Sequence, residues 1–410
     1  MGRERRDGGA VAATHAAIAR VVREETGSLT ATLVRALGNF DEAEDLVQDA
    51  LVSALEHWPR DGIPDRPGAW LLTAARRKAI DRWRRRSRYQ KLLEKVGDEG
   101  VKPGREPEDR LRLIFTCCHP ALAPEGQVAL TLRAVLGLTN AEIARAFLSN
   151  DVAIAQRIVR AKRKIVEARI PYRVPGAGEL AARLAGVLRV LYLLFNEGYL
   201  STGGPAPARR DLTEDAEWLT ALLSHLLPDQ PEVLGLLALI RLHRARDRAR
   251  LGSEGRLVLL QHQDRSLWDR AAIAGAVALL ERAAGLRRPG PYQVQAAIVA
   301  CHAEAASWET TDWPQILALY DVLARFDPSP IVALNRAIAL RYVAGPEAAL
   351  AAADTLASAL NRYHLFHATR AELLRALGRA EEARESYLRA IALTANPAEQ
   401  ALLRERLEGR

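Results

Sequence analysis

The sequence predicts an all-α protein, and three observations carry that expectation. Ala, Leu, Arg and Glu dominate its 410 residues, apolar residues recur at spacings of three and four, and the alternation expected of half-buried strands is scarce. Proline and glycine gather at a few places instead of being scattered, so they mark joints between helical blocks. Hydrophobic residues make up 49% of the chain and charged residues 26%, the balance of folded protein, which excludes disorder as the dominant state. The length suits two or three domains.

The joints divide the chain. Trp58 to Gly68 reads as a long turn between two helices, Tyr89 to Pro107 as a polar interdomain linker, and Pro171 to Gly178 as the end of a further block. Segments at 10–88, 107–172 and 178–410 follow, with a linker at 89–106. Later breaks fall at Gly203–Pro207, Pro228–Pro231, Pro289–Pro291, Pro328–Pro330 and Gly345–Pro346.

In the first segment, Asp41–Glu56 carries Asp41, Glu42, Glu44, Asp45, Asp49 and Glu56 and no Lys or Arg. Leu46, Val47, Ala50, Leu51, Ala54 and Leu55 supply an apolar stripe, so a helix packed on one face is expected. The early acids also suit the positive end of the helix dipole. The next helix is opposite in sign. Between Arg76 and Arg88 eight basic residues stand against the single acid Asp81, the footprint of a helix that meets phosphates. Trp83 and Tyr89 interleave with the arginines, and aromatic faces stack on unpaired bases. Trp70 sits with Leu71 and Ala74 and reads as core.

The second segment holds a helix-turn-helix pattern. Thr139 and Glu142 form a capping box that starts one helix, with Ile143, Ala144 and Phe147 as its apolar face. Ser149-Asn150-Asp151 supplies the turn and the next cap. The helix from Val152 to about Arg169 buries Ile154, Ile158, Ala161 and Ile165, while Gln156, Arg157, Arg160, Arg163 and Lys164 lie opposite. That is the geometry of a major-groove reader, in which arginines and lysines contact phosphates or base edges and Gln156 can read an adenine.

Together the two segments resemble a known family. Asp41–Ala50, followed by Ala69-Trp70-Leu71 and Ala79–Arg85, resembles region 2 of extracytoplasmic-function (ECF) sigma factors of bacterial RNA polymerase. Leu138–Ala144 with Arg157–Lys162 resembles their region 4, in the same order and separation. The resemblance covers roughly residues 10–172. It implies that Asp41, Glu44, Asp45, Gln48 and Asp49 bind core polymerase at the β′ clamp helices. It implies that Arg76, Arg77, Lys78, Arg82, Trp83, Arg84 and Arg85 hold and help open the −10 element. Gln156, Arg157, Arg160, Arg163 and Lys164 would read the −35 element, with region 4 meeting the β flap of the polymerase. The family recruits and melts, and the polymerase performs the catalysis.

Beyond residue 178 the chain resembles the C-terminal extension of an ECF subgroup with tetratricopeptide-like repeats, through Gly290–Ile298 and Thr311–Ile316. Ala371, Leu374, Ala383, Tyr387, Ala390 and Pro397 follow the 34-residue repeat, and a weaker copy spans Ser329–Asn361 with Ala337 and Ala349. Such stacks present a concave groove, which implies a protein partner and a modulating role for the extension.

The remaining signals point away from an enzyme. Cys117-Cys118-His119 and Cys301-His302 lack paired zinc-ligand spacing and read as buried thiols. Phe195–Tyr199 reads as a helix end. No motif for nucleophilic catalysis or nucleotide binding is present, so neither cofactor nor metal is expected. Net charge is +8, three cysteines suit a reducing cytoplasm, and no stretch approaches the roughly 20 apolar residues of a membrane span. A helix-turn-helix regulator with a ligand-sensing repeat domain is the alternative; it leaves the acidic helix and the arginine–tryptophan helix unexplained.

Overall fold

A computed structural model describes Val21 and residues 25–85, 106–146, 149–199, 210–250, 258–394 and 396–408. All regular structure among them is helical. The chain forms two compact units, Met1–Val190 and Leu191–Arg410.

The first unit begins with α1 (residues 25–37), α2 (Phe40–Asp61) and α3 (Pro67–Arg85). Asn39 caps α2, its side-chain oxygen accepting from the amides of Asp41 and Glu42. Ala43, Leu46, Val47, Ala50 and Ala54 of α2 meet Leu71, Ala75 and Ala79 of α3 over Leu29, Leu33 and Val34 of α1. The joint is shorter than the sequence suggests, because α2 continues through Trp58 and Pro59 to Asp61. Pro59 removes only the amide that would serve the Leu55 carbonyl. Both residues are exposed, so water can take its place. Trp58 is then buried, its ring 5.5 Å edge-on from Trp70. Leu55, by contrast, lies outside the buried stripe, 57% exposed.

Among the described residues α4 (Glu106–Cys117), α5 (Pro124–Leu136), α6 (Asn140–Ala146) and α7 (Asp151–Glu167) follow in this unit. The Thr139–Glu142 capping box forms in both directions, at 2.7 Å and 3.2 Å. Asn150 caps α7 by accepting from the Ala153 amide at 2.8 Å. Ile154, Ile158, Ala161 and Ile165 are the buried residues of α7, and Ile143 and Ala144 are buried beside them; Phe147 lies outside the described residues.

A polar seam joins α1 to α4 through Asp109 and Tyr172. The Asp109 carboxylate, 2% exposed, takes the Arg35 guanidinium at 3.0 Å and that of Arg112 at 3.4 Å. Tyr172 donates to the carbonyls of Ala31 at 2.9 Å and Asp109 at 3.2 Å. Gly27 allows α1 to approach α5, since a Cβ there would strike the Val135 carbonyl.

The boundary between the units falls inside α8 (Ala177–Tyr199). In the second unit α9 (Arg210–Leu226) packs on α10 (Pro231–Arg244), which is buried on nearly every side. Around α10 lie the short α11 (Asp247–Arg250), α12 (Arg270–Gly285) and α13 (Pro291–Glu304). Thereafter each helix packs on its neighbours in sequence: α14 (Trp313–Phe326), α15 (Pro330–Asp354, kinked at Gly345), α16 (Ala357–Leu360), α17 (His364–Ala376), α18 (Ala380–Leu393) and α19 (Pro397–Leu407). Ala371, Leu374, Ala383, Tyr387 and Ala390 are buried within the α17–α18 pair, and Pro397 opens α19. Ala337 and Ala349 are buried in α15.

Candidate nucleic-acid interface

The turn between α6 and α7 leaves one side of α7 free. Gln156, Arg160, Arg163 and Lys164 are exposed and Arg157 is half-buried. Arg157, Arg160, Arg163 and Lys164 line a groove between α7 and the start of α5, which Glu125 and Glu167 also border. Arg163 pairs with Glu167 one turn on, at 3.1 Å. By helical position, Gln156 and Arg163 centre the outward face while Arg157 and Lys164 flank it. Val152 and Val159, 65% and 62% exposed, share that face. They were not singled out from sequence, although their spacing of three or four from Gln156 carries the signal. Apolar side chains there can meet thymine methyl groups.

On α2 an outward stripe runs along Asp41, Asp45, Gln48, Val52 and Leu55, all exposed. Asp49 is half-buried. Glu44 sits on the flank and turns toward the helix-turn-helix. Lys162 Nζ donates to Glu44 Oε2 at 3.0 Å and to Asp41 Oδ1 at 2.8 Å, and Arg133 Nε lies 3.9 Å from the same Glu44 oxygen. Lys162 is 12% exposed and Glu44 18%, while Asp41 is 79% exposed. Charge-assisted bonds of this kind gain strength as water is excluded, so the Glu44 contact is the stronger of the two. The side of α7 opposite the groove is thus tied to the acidic helix.

On α3, Leu71, Ala75 and Ala79 are buried, which turns Arg77 and Lys78 to solvent and leaves Arg76 half-buried. Arg82, Trp83, Arg84 and Arg85 continue the same helix, but their side chains lie outside the described residues. Arg86 to Arg88, Tyr89 and nearly all of the 89–106 linker lie outside them as well.

Among the described residues no group of three or more His, Cys, Asp and Glu is placed to hold a metal ion. Cys117 and Cys118 are buried, and burial pushes the Cys118 thiol up to about 11. Cys301 is only half-buried, a departure from the buried thiol expected, because it lies on the groove formed with α12 and the start of α14. No described helix is long and apolar enough to cross a membrane.

Comparison with known proteins assigns these pieces. Residues 21–89 match sigma-70 region 2 and residues 112–165 match sigma-70 region 4. Residues 183–284 match a family of unknown function (DUF6596). The chain is 45% identical over 387 residues to uncharacterized protein R00370 of Rhizobium meliloti, covering 92% of each. It is 28% identical over 159 residues to ECF RNA polymerase sigma factor SigL of Mycobacterium tuberculosis, covering 38% of this chain and 86% of that one. Probable ECF RNA polymerase sigma factor SigI of the same organism is 29% identical over 173 residues, covering 40% and 59%.

Proposed function

We propose that the chain is an ECF-type sigma factor that binds core RNA polymerase, directs it to specific promoters and helps open the −10 region; its matches to sigma-70 regions 2 and 4 support this reading. The carrying observation is the pair of separate faces in one unit: an acidic stripe with exposed Val52 and Leu55 on α2, and a cationic, partly apolar face on α7. The first has the chemistry of a protein-docking helix and the second that of a major-groove reader. Asp41, Asp45, Gln48 and Asp49 then meet the β′ clamp helices, with Glu44 bordering them. Arg76, Arg77 and Lys78, continued by Arg82, Trp83, Arg84 and Arg85, serve the −10 element. Gln156, Arg157, Arg160, Arg163 and Lys164 serve the −35 element, with Val152 and Val159 added to that face.

On this reading the Lys162 contact belongs to the free protein. The −10 and −35 elements lie about 25 base pairs, or roughly 85 Å, apart along B-DNA. A bond of 2.8–3.0 Å between the −35 reader α7 and α2, which packs on the −10 reader α3, cannot survive both engagements. The polar character of the Arg35–Asp109–Tyr172 seam suits a contact that separates, since such interfaces are more polar than permanent ones. The C-terminal helices form a tetratricopeptide-like stack that modulates promoter engagement through a protein partner. The packing of α13 to α19, each helix on one close to it in sequence, supports this.

Reconstituted run-off transcription tests the proposal, with core polymerase and promoters from upstream of the chain's own and neighbouring genes. Initiation at one start site that depends on the protein is expected. Failure to bind core polymerase and to initiate at any promoter would overturn the reading. A chain ending after Tyr199 tests the modulating role, and unchanged activity would remove it.

A further inference from the structure

In the second unit a buried arginine, a partly exposed one and an exposed one gather round a single tryptophan, and no described carboxylate forms an ion pair with them. Arg246 is 7% exposed and Trp268 3%. The guanidiniums of Arg265, Arg246 and Arg270 lie 4.6, 6.0 and 6.0 Å from the Trp268 ring centre. Each arginine is held from one edge. Arg246 Nη2 donates to the Tyr199 hydroxyl at 3.1 Å and lies 3.0 Å from His243 Nδ1. Arg265 Nη1 donates to the carbonyls of His302 and Ala305 at 2.7 and 2.5 Å, and Arg270 Nη1 to that of Ala303 at 3.2 Å. The other edges are spare. Arg246 Nε, Arg265 Nη2, Trp268 Nε1 and His302 Nδ1 are all buried without a hydrogen-bond partner.

Such an arrangement is costly as it stands. Buried guanidinium groups are normally paired with carboxylates, and buried N–H groups normally find acceptors. Contact with the Trp268 ring offsets part of the cost through its negative face, but it satisfies no donor. Glu309, whose charge is felt at Arg265, is exposed to solvent. What is missing is a compact group with several acceptor oxygens and negative charge.

We propose that Arg246, Arg265, Trp268 and His302 form a binding site for a small phosphate-type oxyanion, free or as a phosphate monoester. Arginine forks match such oxygens in geometry as well as charge. Arg265 and His302 are each partly exposed, which gives the anion a way in from solvent. His302 adds a proton linkage. Burial and the Arg246 and Arg265 charges hold its imidazole down, at about 4, and a bound dianion reverses the effect of those charges. His302 then takes up a proton and donates through Nδ1.

The site stands independently of the sigma assignment, because its test reads binding alone. Titration calorimetry on the full chain would use inorganic phosphate and glycerol phosphate, with acetate and sodium chloride at matched ionic strength as controls. One saturable site per chain is expected for phosphate, for glycerol phosphate or for both, and their ratio distinguishes the free ion from the ester. Trp268→Phe keeps the ring and removes one donor, so affinity should fall about tenfold. Arg246→Gln should abolish binding, and Trp268→Phe reads the site by itself if that variant does not fold. Absence of saturable binding, equal binding of acetate or chloride, or full affinity in Trp268→Phe would overturn the proposal.

Discussion

Replacing Lys162 with alanine should make the protein bind core polymerase more tightly while making it less stable. Lys162 Nζ is 3.0 Å from Glu44 Oε2, with both side chains less than one-fifth exposed. At an effective dielectric of about 20 the gross attraction at this distance is roughly 5 kcal/mol. Desolvation of the two ions takes back most of it, leaving a net of about 1.5 kcal/mol, the usual range for a charged hydrogen bond. The Asp41 contact adds almost nothing, since that carboxylate is 79% exposed. Arg133, 3.9 Å from Glu44, limits the penalty of leaving the acid unpaired. About 1.5 kcal/mol is close to a factor of ten in the balance between closed and separated states. If only the separated state docks, apparent affinity rises as that state becomes populated, by three- to tenfold. Fluorescence anisotropy of labelled protein on core polymerase, without DNA, measures this, and a thermal melt of the same variant should fall by a few degrees. A lowered melting temperature with unchanged or weaker polymerase binding would refute the reasoning.

Arg160→Ala and Arg163→Ala should each weaken binding to all promoter sequences alike and reduce the slope of log K against log salt by about one, measured by filter binding. Gln156→Ala should instead cost about 1–3 kcal/mol on one sequence and relax the preference at one position, visible in competition with base-substituted duplexes. The second unit should lose stability in acid. His302, faced by Arg246, Arg265, Trp308 and Trp313, is held at about 4 against an ordinary 6.5, so the folded state binds fewer protons between those values. Its contribution is complete above pH 6.5 and lost as pH falls toward 4, by about 3 kcal/mol in all. Urea unfolding in chloride buffers at pH 7.5 and 5 should show the loss, reduced in His302→Gln; His243, also lowered, titrates in the same direction. Gly235→Ala should destabilise the unit by about 1–3 kcal/mol, because its Cβ would press on the Gln293 backbone; a denaturation midpoint equal to that of the parent would count against the close approach of α10 and α13.

Local patterns in the chain determined its helices and the inward faces of several of them. The capping box at Thr139, the Asn150 cap and the stripe Ile154–Ile165 depend on residues three to eleven apart, and a helix brings those together wherever it lies. The same holds for the acidic face of α2 and the arginines of α3, whose spacing is enough to state their character. Tertiary structure decided the rest. Leu55 faces out and Trp58 in because α3 supplies a partner, Trp70, only at the end of α2. Lys162 turns from the basic face toward Glu44, 118 residues away, and no periodicity announces that pairing. The oxyanion cluster gathers residues from 246 to 302 whose separate surroundings in sequence are unremarkable. Electrostatic partners are chosen by proximity in space, and burial then sets how strongly they act on one another.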